Sequence, residues 1–167
     1  MIKRNVLVPL DRSDYSLKIL PPLEKFIPPS DTKLILFHVA ERPGGIGIGK
    51  PVYEVDYVTQ DRVTSRVVGQ IPFPVYANQL ENDIRSQIKD SLQPQVRHLA
   101  EKGYQVTTLV YFGQPADEIM RVISDEKIDL IAMTTHAREG LTRFFLGSVT
   151  EKVLHRIKIP ILLMHPS

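Results

Sequence analysis

The chain contains no cysteine. Disulfides, thiolate metal sites, iron–sulfur clusters and cysteine nucleophiles are therefore excluded. It also lacks a charge excess of either sign: 21 Lys and Arg stand against 19 Asp and Glu. So small a surplus argues against a dedicated nucleic-acid binder, although it leaves room for a local basic patch. No apolar run approaches the ~20 residues that a membrane helix needs. The opening Met1-Ile2-Lys3-Arg4-Asn5 passes directly into Val6-Leu7-Val8, an apolar segment too short for a signal peptide. The expectation is a soluble, cytoplasmic protein that engages neither membrane nor nucleic acid.

What is present suits one globular domain spanning residues 1–167, with interior enough for a core. Four short runs are almost continuously apolar: Val6 to Leu10, Leu34 to Val39, Leu130 to Met133 and Ile159 to Met164. Continuous rather than alternating apolar residues fit strands buried on both faces of a parallel sheet. A fifth run, Val106 to Phe112, is more mixed.

Helical patterns lie between these runs. Leu80, Ile84, Ile88, Leu92, Val96 and Leu99 form one long stripe. Ala116, Ile119, Met120 and Ile123 form a second, and Val149, Val153, Leu154 and Ile157 a third. Gln114-Pro115-Ala116-Asp117-Glu118 reads as a helix start, with proline in the first turn and acids at the positive end of the dipole. From Ser13 to Phe26 the pattern is less clean, because Pro21-Pro22 must kink or interrupt it.

The alternation predicts an α/β fold: a single open, doubly wound sheet of five parallel strands with helices on both faces. Ligands of such sheets sit beyond the carboxyl ends of the strands, where the strand order reverses. Asp11, Val39, Gly113 and the segment Thr134-Thr135-His136-Ala137 all fall at such ends. The last segment is followed, after nine residues, by Gly147-Ser148 and then a helical pattern from Val149. A strand, a loop and a helix with uncovered amides make a natural phosphate-holding arrangement.

The connection at about 41–76 is the least readable part. Its glycines, Gly44, Gly45, Gly47 and Gly49, predict a segment more mobile than the sheet that becomes ordered with ligand. Gly45-Ile46-Gly47-Ile48-Gly49 opens no helix, since Lys50-Pro51-Val52 follows, so a flexible loop is preferred to a dinucleotide loop.

Together these motifs resemble the universal stress protein family over nearly the whole chain apart from 41–76. They are Val6-Leu7-Val8-Pro9-Leu10-Asp11-Arg12-Ser13, Gly113-Gln114-Pro115-Ala116-Asp117-Glu118-Ile119, Asp129-Leu130-Ile131-Ala132-Met133, Gly147-Ser148-Val149-Thr150-Glu151-Lys152-Val153-Leu154 and Ile159-Pro160-Ile161-Leu162-Leu163-Met164. The resemblance implies a stress-related regulator that binds an adenine nucleotide, ATP with Mg²⁺, at the ends of the first, second and fourth strands. It implies a binding set of Pro9, Asp11, Val39, Gly113, Met133, Thr134, His136, Ala137, Arg138, Gly147, Ser148 and Val149. Within it, Asp11 would sit beside ribose or adenine, Val39 would offer its backbone to adenine, and Gly113, Gly147 and Ser148 would line the phosphate side. It also implies a homodimer paired through the last strand, together with a regulatory partner that the sequence does not name.

Nucleotide-binding members carry Gly-x-x-Gly before the nine-residue span. Here Thr134 and Ala137 stand in place of those glycines, and only Gly147-Ser148 is kept. That departure sustains a rival reading, a nucleotide-free dimeric scaffold of the same fold.

Several residues also have plainer roles. Asp11 could cap the first helix, and Ser148 could cap the helix it begins. His136 has no nearby carboxylate and no metal-like partner spacing, so it reads as a solvent-facing loop residue rather than a catalyst. Arg138 and Arg143 could pair with phosphate or be solvated loop charges. Phe144-Phe145-Leu146 reads as packing. No general base or nucleophile is apparent, so any ATP hydrolysis is expected to be slow and incidental. An adenylyl-transferring enzyme lacks a lysine-serine or histidine signature at the phosphate loop.

Overall fold

The computed structural model describes residues 4–42, 54–56, 66–68, 73–135 and 146–165. The apolar runs become strands. β1 (Arg4–Pro9) leaves Val6, Leu7 and Val8 without solvent exposure, and β2 (Thr32–Ala40) does the same for Leu34, Ile35 and Leu36. Successive side chains point to opposite faces, so a strand buried residue after residue needs cover on both.

That cover is present. One face packs Val6, Val8, Leu34 and Leu36 against Ile19, Leu20, Leu23, Ile88, Leu92 and Leu99. Leu20 and Leu23 come from α2 (Leu20–Phe26), Ile88 from α3 (Phe73–Ser91) and Leu99 from α4 (Gln93–Glu101), while Ile19 lies in the link between α1 (Asp14–Leu17) and α2, and Leu92 in the link between α3 and α4. The other face packs Leu7, Ile35, Phe37, Ile131 and Met133 against Ala116, Ile119 and Val122 of α5 (Pro115–Asp125) and Val153 of α6 (Ser148–Arg156).

β5 (Gln105–Phe112), β6 (Leu130–Thr134) and β7 (Ile161–Met164) complete a five-stranded sheet in the order β5-β2-β1-β6-β7, parallel at every pairing. This is the predicted doubly wound fold. The mixed character of β5 follows from its place at an edge, where most of its side chains are only partly buried.

Prolines set the helix boundaries. Pro21 and Pro22 do not kink one helix. They sit in the first turn of α2, where a missing N–H costs nothing, and the chain forms two short helices instead. The long stripe from Leu80 to Leu99 likewise divides at Leu92, because Pro94 in the first turn of α4 has no N–H for a carbonyl four residues back. The Val96 N–H still reaches the Leu92 carbonyl at 3.0 Å, so the stripe stays on one face.

Within the 41–76 connection, β3 (Glu54–Asp56) pairs antiparallel with β4 (Arg66–Val68), and α3 begins at Phe73, inside the segment read as loop. The glycines from Gly44 to Gly49 lie outside the described residues. Among the described residues, no helix is long and apolar enough to cross a membrane.

Candidate ligand cleft at the strand ends

β1 is the pivot of the sheet: β2 lies on one side of it and β6 on the other, and the chain reaches these neighbours by crossovers in opposite directions. Crossovers diverging from such a point leave a crevice beyond the carboxyl ends of the strands. A cavity of about 160 Å³ occupies that place. Its wall is Pro9, Leu10 and Asp11 from the end of β1 and the turn after it, Ser16 from α1, Phe37 and Val39 from β2, Met133 and Thr134 from β6, Pro115 and Ile119 from α5, and Val149 and Thr150 from α6.

The strand period explains the apolar part. Leu7, Ile35, Phe37, Val39, Met133 and Ile119 belong to one face of the sheet, and the cavity continues that core past the last rungs. The β1–β2 register ends at Pro9↔Phe37, followed by a bond from Leu10 N–H to the Phe37 carbonyl at 2.8 Å. Val39 lies on the same backbone edge as Phe37, two residues on and beyond the last pairing with β1.

The turn after β1 is tightly organised. Asp11 Oδ1 accepts from the Ser13 N–H at 3.0 Å and the Ser13 hydroxyl at 2.5 Å. Ser13, not Asp11, caps α1, with its Oγ accepting from Ser16 N–H at 3.1 Å. Asp11 therefore orients the cap rather than being it. The Ser16 hydroxyl donates to the Ser13 carbonyl at 2.9 Å, and the Asp11 N–H reaches the same Oγ at 3.3 Å. Arg12 takes a left-handed conformation at φ +69, an uncommon one for a residue with a Cβ. His38 is buried behind this turn, with Nδ1 2.7 Å from the Leu10 carbonyl. Burial pushes its pKa below the ordinary value and Arg12 adds to that effect, against the opposing pull of the Leu10 carbonyl and Asp11.

At the opposite wall, Gly147 takes the cap position of α6 with extended backbone, φ −54 and ψ 152, and Ser148 is the first helical residue. The exposed Ser148 is thus one step inside the position at which its hydroxyl would cap. The first amides of α6 lie where Val149 and Thr150 meet the cavity. Thr134 closes β6 with only 6% exposure and does not take positive φ. Its β-branched side chain is therefore accommodated without left-handed strain.

Of the predicted set, the cavity wall holds Pro9, Asp11, Val39, Met133, Thr134 and Val149. Gly147 and Ser148 are next to it in sequence but not in its wall. Gly113 is not in it either. Its amide donates to the Ala40 carbonyl at 3.1 Å, its φ is +152, and a Cβ there would stand 2.7 Å from Glu118 Oε1. The absent side chain makes room for Glu118. His136, Ala137, Arg138 and Arg143 lie outside the described residues, as do Phe144 and Phe145; Leu146 is exposed, which does not fit its reading as a packing residue.

Phe37, Ile119, Pro115, Leu10, Ser16 and Thr150 were missed from sequence. The signal for Phe37 was available, since it precedes Val39 by one strand period. Ile119 and Pro115 share a face of the first turns of α5, and Thr150 follows Ser148 into the helix. Among the described residues, no group of His, Asp and Glu is placed to hold a metal ion.

A five-stranded parallel sheet with helices on both faces, and an apolar crevice at its switch point, places the chain in the class of open, doubly wound α/β folds. Within it the assignment is specific: residues 3–165 match the pattern of the Universal stress protein family, and the chain belongs to that family.

Two relatives illustrate the range. Universal stress protein MJ0577 of Methanocaldococcus jannaschii is 30% identical over 89 residues, which is 53% of this chain and 55%, about half, of that protein. Universal stress protein YxiE of Bacillus subtilis is 26% identical over 160 residues, 95% of this chain and 97% of that one. The solved structure of MJ0577 superposes with a TM-score of 0.68 at 23% identity, covering 100% of this chain and 99% of its own. A universal stress protein in complex with cAMP gives 0.54 at 20% identity, covering 100% of both chains. An Arabidopsis thaliana family member with AMP bound gives 0.57 at 16% identity, covering 98% of this chain and 92% of its own. At these identities the superpositions establish the fold.

Proposed function

We propose that this protein is a cytoplasmic, single-domain regulator that binds an adenine nucleotide, ATP with Mg²⁺, in the cleft at the ends of β1, β2 and β6. The observation that carries the reading is the cavity itself. It is mostly apolar, it sits at the switch point, and it opens beside the first amides of α6. At about 160 Å³ it is smaller than the roughly 300–1,000 Å³ of pockets that swallow whole ligands. It suits a flat base, with sugar and phosphates lying outside it toward α6. Family members solved with AMP and with cAMP support the adenine assignment.

Asp11 and the Val39 backbone would face base and ribose, and the α6 terminus would face phosphate. Mg²⁺ would be held mainly by phosphate oxygens, which is that ion's usual manner of binding. One observation favours the nucleotide-free scaffold instead: a buried Thr134 stands where nucleotide-binding relatives have glycine, which limits how closely backbone and phosphate can approach.

Titration calorimetry with ATP–Mg²⁺ and AMP decides between them. The expected result is binding by the wild type, tighter binding by the Thr134→Gly, Ala137→Gly double variant, and loss of binding in Gly147→Val. Absence of heat at millimolar nucleotide for both wild type and double variant would leave the scaffold as the function.

A further inference from the structure

A parallel β1–β2 ladder continuing one rung further would pair Leu10 with His38. In that rung Leu10 N–H donates to the Phe37 carbonyl, and the Leu10 carbonyl accepts from the Val39 N–H. The first half exists, at 2.8 Å. The second does not: the register closes at Pro9↔Phe37, and the Leu10 carbonyl instead lies 2.7 Å from His38 Nδ1. A carbonyl can only accept, so Nδ1 carries the proton. A side chain thus bonds the carbonyl that the Val39 amide would otherwise reach, and with the register closed at Pro9↔Phe37 that amide makes no ladder bond to β1.

We propose that His38 is a positioning residue, whose imidazole holds the Leu10 carbonyl so that the Val39 N–H stays open to a ligand in the cleft. Strand parity puts the imidazole on the face carrying Leu36 and Ala40, while Phe37 and Val39 face the cavity side. His38 therefore works from behind the sheet and touches no ligand. The same bond fixes the turn that carries Asp11, because Leu10 is held through both its N–H and its carbonyl. The ligand chemistry it serves is a planar heterocycle with a ring-nitrogen acceptor, set between Val39 and Met133. This role rests on the nucleotide reading for its purpose, but the state of the Val39 amide is a property of the protein alone.

The test is amide hydrogen exchange at Val39, read by NMR with and without AMP, alongside AMP affinity. In the free wild type, Val39 should exchange much faster than Leu36, and AMP should slow it. His38→Phe keeps a planar aromatic ring but removes the donor. There the Leu10 carbonyl should capture the Val39 N–H, protecting it without ligand and weakening AMP about fivefold, the value of one net hydrogen bond. His38→Asn, which restores a side-chain N–H, should recover both readouts.

A Val39 amide as protected as Leu36 in the free wild type would overturn the proposal, even if His38→Phe fails to fold. So would a His38→Phe protein whose Val39 exchange and AMP affinity match the wild type. If the wild type binds no AMP but Val39 is open, and becomes protected in His38→Phe, the positioning role stands and the nucleotide reading falls.

Discussion

His38 shows what a single residue contributes here and how little of it shows in sequence. In the run from Leu34 to Val39 it looks like an interruption, yet it is buried and bonded across 28 residues of chain to Leu10. Its burial also has a consequence for stability. The folded pKa lies below that of the unfolded chain, so between the two the unfolded state binds more protons. The stability tied to neutral His38 is complete above the unfolded value of about 6.5 and is lost as pH falls through the lowered folded value. Urea midpoints measured from pH 7.5 to 5 should fall more steeply for the wild type than for His38→Phe, whose ring does not titrate. Equal slopes would contradict the assignment. Asp11 illustrates the opposite case: its position was legible, but its part in orienting the Ser13 cap was not, because two hydrogen bonds to a neighbour two residues away leave no periodic trace.

Elements were more legible than residues. Continuous apolar runs marked β1, β2 and β6 because burial on both faces erases alternation, and β7 because its half-buried side chains pack into both core clusters, while Pro115 announced α5 because a first-turn proline is a local signal. The divisions at Leu92 and at Lys18–Ile19 were harder, since apolar spacing runs straight through both. The ribbon β3–β4 was not visible at all: two three-residue strands are too short to show a period. One helix end supports a quantitative expectation. After α4, the Tyr104 N–H bonds the Leu99 carbonyl at 3.1 Å and the Gly103 N–H bonds the Ala100 carbonyl at 2.9 Å. This Schellman closure needs Gly103 at its φ of +95. A Cβ there would meet Pro29 no nearer than 3.6 Å, an ordinary contact, so the cost of Gly103→Ala is in the backbone, about 1–2 kcal/mol. Equilibrium urea unfolding measures it, and an unchanged midpoint would show that the closure relaxes freely.

The whole molecule depends on strand order, which the sequence implied only as alternation; β5-β2-β1-β6-β7 emerges from which faces the crossovers cover. The order leaves two unlike edges. On β5, Arg85 donates to the Val110 carbonyl and lays its guanidinium 5.3 Å from the Phe112 ring centre, which guards the edge against pairing. On β7, Ile161 to Met164 are each only half-buried. We expect homodimers to form through β7, with Leu162→Lys shifting the protein toward monomer in analytical ultracentrifugation; a wild type that stays monomeric at micromolar concentration would refute this. The joints between strands are equally unlike. β2 meets β5 over eight residue pairs and β1 over six, but β1 meets β6 over only two, Val6↔Leu130 and Leu7↔Ile131. The sheet is thus two slabs glued along a narrow seam, and the candidate cleft opens at the end of that seam. A molecule seated there would clamp both slabs at the joint with least backbone holding it, so that occupancy would be registered as stiffness throughout the sheet rather than as movement of any one loop.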